Sequence, residues 1–255
     1  MSLLVLTSAV HSPGTTTTAV GLALSWPRPV LLVDATRMPS QSVLAGLLQG
    51  HDPGSRGLWG VLAAHRERRP LGAAIERGSL ALPASDGVGR WFLPGFSHPG
   101  MVALFASTWP EFVTALASWE SDVIVDAGAI GTNGLPPALT NEADAVIVVS
   151  RTSLVDLAGL RLYLPLVTDA VPKERLSMLL VGAGRPYSAA EISATLGLRT
   201  EASLPWNPAA AAVWSHGEVA GRAFASSPYA RAVRGCADGL AERFDRSRER
   251  IGAPR

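Results

Sequence analysis

The sequence predicts a single α/β domain: a doubly wound, mostly parallel sheet flanked by helices. Three observations carry this. Short, fully apolar runs suit strands buried on both faces, helical patterns alternate with them along the whole chain, and a glycine loop joins the first strand to the first helix.

Residues 3–6 form the first apolar run, and a loop holding Pro13 and Gly14 follows. Thr15, Thr16, Thr17 and Thr18 then open a segment whose Val20, Leu22, Ala23 and Leu24 suit a helix packed on a sheet. Strand, glycine loop and helix N-terminus in that order make an anion site. The first-turn amides have no intrahelical partner, and the helix dipole adds positive potential. Phosphate is the natural ligand. Against the pattern G-x-x-x-x-G-K-[ST], the fitting register puts Gly14 on the second glycine, Thr16 on the hydroxyl that faces Mg²⁺, and Thr15 on the lysine. Lys173 is the sole lysine of the chain, so no neighbour replaces it. A Ser/Thr/Gly-rich turn capping a buried helix accounts for this stretch, taken alone, equally well.

Residues 29–33 (PVLLV) read as a central parallel strand ending at Asp34. A helix is expected over 40–48, with Val43, Leu44, Leu47 and Leu48 on one side, then a loop over 50–57 and a helix over 58–66. Residues 69–100 are rich in Pro and Gly and show only a short strand at 91–93. A long helix over 99–118, interrupted at Pro110, points Trp109, Phe112, Val113 and Leu116 inward. The apolar run 123–125 delivers Asp126 at a strand's carboxyl end, and small residues let the backbone turn after it. Further strands follow at 143–149, leading to Arg151, and at 176–181, stopping at Gly182, with a helix at about 153–166 between them. Residues 186–198 carry a capping box, Ser188 with Glu191. Residues 201–214 give a strand, a Pro-Trp-Asn-Pro turn and a helix, and a last helix spans about 228–244. The domain covers 1–245, and 246–255 is expected to be a flexible, arginine-rich tail.

Composition narrows the function classes. A formal charge of +1 gives no strong nucleic-acid signal, and a single cysteine, Cys236, excludes an internal disulfide and fits a reducing cytoplasm. Arg151, Asp156 and Arg161 cut the apolar stretch at 144–168 well short of a bilayer span. The N-terminal run lacks a basic region and reads as a strand rather than a signal peptide. His11, His51, His65, His98 and His216 lack metal-ligand spacing, and GFSHPG has no glycine two residues after Ser97, so it is no nucleophile elbow.

The order and content of these motifs resemble the MinD/ParA family of deviant P-loop ATPases over about residues 3–225. The matching pieces are the glycine loop, VLLVDA at the second strand, VIVDAG at a Walker B-like strand, VIVVS before a long helix, and YSAAEISATLGLRTEASLPWNP near the end. The resemblance implies an ATP site around His11, Ser12, Pro13, Gly14, Thr15, Thr16, Thr17, Asp34, Asp126, Pro205 and Asn207. Thr16, Asp34 and Asp126 would hold Mg²⁺ when nucleotide binds, although both aspartates also suit plain strand-end caps.

The departures matter as much. The two lysines of the family's K-G-G-x-G-K-T-T loop fall on Val10 and Thr15, and the aspartate two positions after Asp34 falls on Thr36. Cationic charge on the transferred phosphoryl group is most of what such enzymes supply, so little or no hydrolysis is expected. The upstream lysine reaches across a nucleotide-sandwich dimer in the family, and its loss weakens the case for a homodimer of that kind. Replacement of the P-loop lysine is a habit of the TadZ/CpaE branch, which acts in placing or assembling Tad (Flp) pili. GTTTTA at 14–19 resembles that branch.

The resemblance thus implies a localisation or assembly factor. It would be cytoplasmic, recruited to membrane or cell pole, with protein partners in a secretion, pilus or septum-site division machinery. Its tail offers only Phe244 and Ile251 as apolar anchors, so any membrane contact would be peripheral. Two alternatives stay open: a nucleotide-free pseudo-ATPase scaffold, and an active ParA-type partition ATPase. Arg37, Arg151 and Arg185 each follow a strand's carboxyl end, where a guanidinium suits phosphate; the plainer reading makes all three solvated surface residues.

Overall fold

A computed structural model describes residues 1–9, 13–84 and 86–252, with side chains through residue 246. Among these residues, one eight-stranded sheet runs in the order β3-β4-β2-β5-β1-β6-β7-β8. The strands are β1 (Leu3–Ser8), β2 (Val30–Asp34), β3 (Leu80–Ala81), β4 (Arg90–Leu93), β5 (Asp122–Ala129), β6 (Ala145–Arg151), β7 (Leu176–Val181) and β8 (Thr200–Leu204). All pairings are parallel except β3 with β4, which are antiparallel at one edge. The helices are α1 (Thr15–Ser25), α2 (Ser42–Ala45), α3 (Leu58–Arg66), α4 (Leu71–Gly78), α5 (Gly100–Leu104), α6 (Trp109–Ala117), α7 (Pro137–Glu142), α8 (Leu154–Tyr163), α9 (Pro165–Thr168), α10 (Ala189–Leu196), α11 (Pro208–Ser215) and α12 (Pro228–Gly252).

Alternation along the strands sorts the core into two layers. Leu3, Val5, Leu31, Val33, Val123 and Val125 face α3, α4 and α6, while Leu4, Leu6, Leu32, Ile124 and Ile147 face α1, α11 and α12. No helix among the described residues is long and apolar enough to cross a membrane.

Several expected elements change shape. Only one turn of the helix expected over 40–48 forms, Ser42–Ala45, and turns follow it. Its C-cap, Gly46, leaves helical geometry at ψ −89°, where the backbone passes so close to Ser215 that a Cβ would collide with the Ser215 carbonyl oxygen. In the stretch 69–100 the expected strand at 91–93 forms as β4, and α4 and β3, which the sequence did not mark, join it, β3 pairing antiparallel with β4. The helix expected over 99–118 is broken by a 3₁₀ turn at Ala106–Thr108, and Pro110 lies in the first turn of α6, where its missing N–H costs nothing. That break lets four rings meet: Phe105 makes edge-to-face contacts with Phe96 at 5.4 Å, Trp109 at 5.1 Å and Phe112 at 5.4 Å. The last helix runs to Gly252 rather than Phe244. The capping box at Ser188 and Glu191 forms as expected.

At the amino ends of the strands, Asp122 is 2% exposed and accepts hydrogen bonds from Trp26 Nε1 at 2.9 Å and Arg28 Nε at 2.5 Å. The same guanidinium donates to both oxygens of Asp245, so α12 is tied to the start of β5. Tyr229, Val233, Ala237, Leu240 and Phe244 bury the inner face of α12.

Candidate functional site

The site grows from the end of β1. Gly14 has φ 97°, a left-handed conformation that favours glycine, and the Cβ of any replacement would point into open space. Its carbonyl accepts from Thr18 N–H at 2.8 Å and starts α1. No side chain caps this helix and its first turn holds no acidic residue, so its leading amides are open to an anion. Pro13 and Thr15 are buried, and Thr16 and Thr17 half-buried. His11 and Ser12, expected in the same loop, lie outside the described residues, as does Val10.

Two carboxylates flank this helix start. β2 and β5 pair so that Asp34 stands opposite Asp126, each at or near the carboxyl end of its strand. Thr16 Oγ1 donates to Asp126 Oδ2 at 2.5 Å, and Gly128 N–H to Asp126 Oδ1 at 3.0 Å. Burial pushes the Asp126 carboxyl up to about 7, helped by the charge of Asp34 and opposed by those two hydrogen bonds. Asp34 is also raised, by burial, against the Thr36 N–H that donates to its Oδ1 at 3.0 Å. Thr16, Asp34 and Asp126 meet at a tight crevice, too narrow for a water molecule, closed behind by Val20, Leu32, Val43 and Phe92. A hydroxyl beside two carboxyl groups that a cation would hold ionised is an all-oxygen donor set that suits Mg²⁺. Among the described residues no cluster of three or more His, Cys, Asp or Glu exists to hold a metal by side chains alone.

Thr15, in the lysine position of the loop pattern, is 6% exposed, and its Oγ1 has no hydrogen-bond partner among the described residues. The three arginines considered as substitutes meet different fates. Arg37 is half-buried and donates from Nη2 to the carbonyls of Ala129 at 3.0 Å and Ile130 at 2.5 Å, which corrects the expectation of a solvated side chain. It braces the loop after Asp126. Arg151 lies over the Trp206 ring at 4.8 Å, and Arg185 is exposed.

Pro205 and Asn207 follow β8 on the same rim of the sheet. Asn207 Oδ1 accepts from Ala210 N–H at 3.0 Å and so caps α11. Trp214 of α11 packs against Gly21 so closely that a Cβ there would fall 2.5 Å from the ring, which keeps α11 seated on α1.

Two supports were not read from the sequence. Gly95 comes so near Asp34 that a Cβ would approach its carboxyl carbon to 2.6 Å, and Thr7 Oγ1 holds the Gly128 carbonyl at 2.9 Å. The signal for the first was a glycine right after a strand-like RWFLP run.

No protein-family profile and no curated protein matches this sequence. Solved structures do match. A ParA family ATPase from Chlorobium tepidum superposes with TM-score 0.70 at 18% identity, covering 92% of this chain and 98% of its own. The septum site-determining protein MinD of Pyrococcus horikoshii, complexed with Mg-ADP, gives 0.69 at 18% identity over 94% of this chain and 95% of its own. The MinC:MinD cell division complex of Aquifex aeolicus gives 0.67 at 18% identity, covering 95% and 96%. The chain therefore has the fold of MinD and the ParA family ATPases.

Proposed function

We propose that this chain is a MinD/ParA-like localisation or assembly factor that binds ATP with Mg²⁺ and hydrolyses it weakly or not at all. The supporting observation is the site's mixed state: an uncapped helix N-terminus with Thr16, Asp34 and Asp126 gathered beneath it, yet a buried threonine where a lysine would meet the phosphates. Gly14, Thr15, Thr16 and Thr17 would cradle phosphate through backbone amides, with Pro205 and Asn207 beside the base. Thr16, Asp34 and Asp126 would hold the metal, which would supply the positive charge between phosphate and carboxylates.

The MinD structure with Mg-ADP supports the ligand, and the MinC:MinD complex supports protein partners in division or related machinery. The degenerate loop favours the TadZ/CpaE branch, hence a pilus or pole-positioning role in the cytoplasm with recruitment to a membrane or pole. A nucleotide-free scaffold is the second reading, favoured by the Thr15 hydroxyl, which is buried without a partner among the described residues.

Melting curves with and without ATP and Mg²⁺ test the reading. Nucleotide at a hundredfold excess over Kd adds about 2.7 kcal/mol, a shift of about 5 °C for a chain of 255 residues, and Thr16→Ala should abolish it. No shift at millimolar ATP decides for the scaffold; brisk turnover by the isolated chain overturns the weak-hydrolysis assignment.

A further inference from the structure

A second concave site lies at the opposite end of the sheet. It is a cleft of about 760 Å³ between α4, the end of α6 and the amino ends of β2, β4 and β5, where Pro29, Trp91 and Ser121 sit. That volume falls within the range of small-molecule sites. No sequence motif marks it.

Its lining has one electrostatic sign. Trp91, 38% exposed, and the half-buried Trp119 offer ring faces, whose quadrupoles attract cations. Glu76 and Glu120 are exposed at its border, and none of the described lining residues is basic. Ser79 and Ser118, the C-cap residues of α4 and α6, both line it, so the negative ends of two helix dipoles meet at the cleft. Gly72 leaves open space where a side chain would stand. Ser121 Oγ, at the start of β5, has no hydrogen-bond partner among the described residues.

We propose that this cleft binds a small organic cation, an ammonium or guanidinium group on an apolar stem. The stem lies between the two indoles and the charged head meets Glu76, Glu120 and the helix ends. The inference is independent of the nucleotide site, which occupies the other rim.

The test is titration of the full chain, followed by NMR at the indole N–H signals of its seven tryptophans, with butylguanidinium, benzyltrimethylammonium and the neutral isostere butylurea. Saturable binding with Kd of about 1 mM or tighter is expected for the cations, shifting Trp91 and Trp119 and sparing the other indoles. Butylurea should leave them unmoved. Trp91→Leu should weaken binding about five- to thirtyfold, the cation–ring attraction taken at about 1.4 kcal/mol per tenfold, and Glu76→Gln should weaken it without changing the melting temperature. Equal binding of butylurea, shifts at other indoles, or no saturation by about 20 mM overturns the proposal. A capped arginine tripeptide that binds more tightly than every free cation would assign the cleft to a protein segment and overturn the small-molecule assignment.

Discussion

Asp126→Asn measures what the proposed nucleotide site costs the fold. The carboxyl is pushed from an ordinary 3.8 up to about 7 by burial and by Asp34. Between those two values the folded chain keeps this proton while the unfolded chain has released it, so this group makes stability fall as pH rises from about 4 to 7. Three units at about 1.36 kcal/mol each set an upper bound of ~4 kcal/mol above pH 7. Asn keeps one acceptor for two donors, Thr16 Oγ1 and Gly128 N–H, and losing that hydrogen bond returns about 1 kcal/mol. The net gain is ~2–3 kcal/mol, or about 4–6 °C for 255 residues at about 2.1 cal/mol/K each.

The assay is calorimetry in EDTA from pH 4 to 8. The variant should melt above the wild type at pH 8, with the gap closing toward pH 4. Mg²⁺ and ATP should reverse the order, because only the wild type then gains. A variant that melts below the wild type at pH 8 in EDTA refutes the reasoning, since the carboxylate would then be stabilised by the fold.

Three further outcomes follow from neighbouring contacts. Arg28→Ala removes the cation beside buried Asp122; because Arg28 is itself 27% exposed, the cost should be about 2 kcal/mol rather than the 3–5 of a fully buried pair, and an unchanged urea midpoint would contradict it. Arg37→Ala strips the carbonyls of Ala129 and Ile130 of their donor, so amide exchange over 129–131 should accelerate about tenfold while global stability drops by only about 1 kcal/mol. Phe105→Ala opens a hole among Phe96, Trp109 and Phe112 and should lower the melting temperature by about 6–9 °C, the equivalent of ~3–5 kcal/mol.

The central strands were legible because each is a short apolar run closed by a polar residue, and a parallel sheet buried on both faces leaves that mark. Asp34 and Asp126 were legible for the same reason, as the first charges after such runs. The capping box at Ser188 is a local pattern and was read directly. Within residues 69–100 the strand expected at 91–93 forms as β4, whereas α4 and β3 were opaque: α4 is only two turns long, β3 spans two residues, too short for a period to register, and its pairing is set by tertiary contact. Arg37 misled because a guanidinium after a strand looks alike whether it meets solvent, phosphate or backbone carbonyls. Only the approach of the loop following β5 decides.

Strand order has a consequence for synthesis. β1 sits in the middle of the sheet and is made before both of its neighbours, β5 and β6, which end at Ala129 and Arg151. At ~5–20 residues per second a ribosome needs roughly 6–24 s to translate the ~120 residues from the end of β1 to the end of β5. For that interval an apolar LLVL segment waits unpaired on the nascent chain, a client for whichever holding chaperone reaches it first.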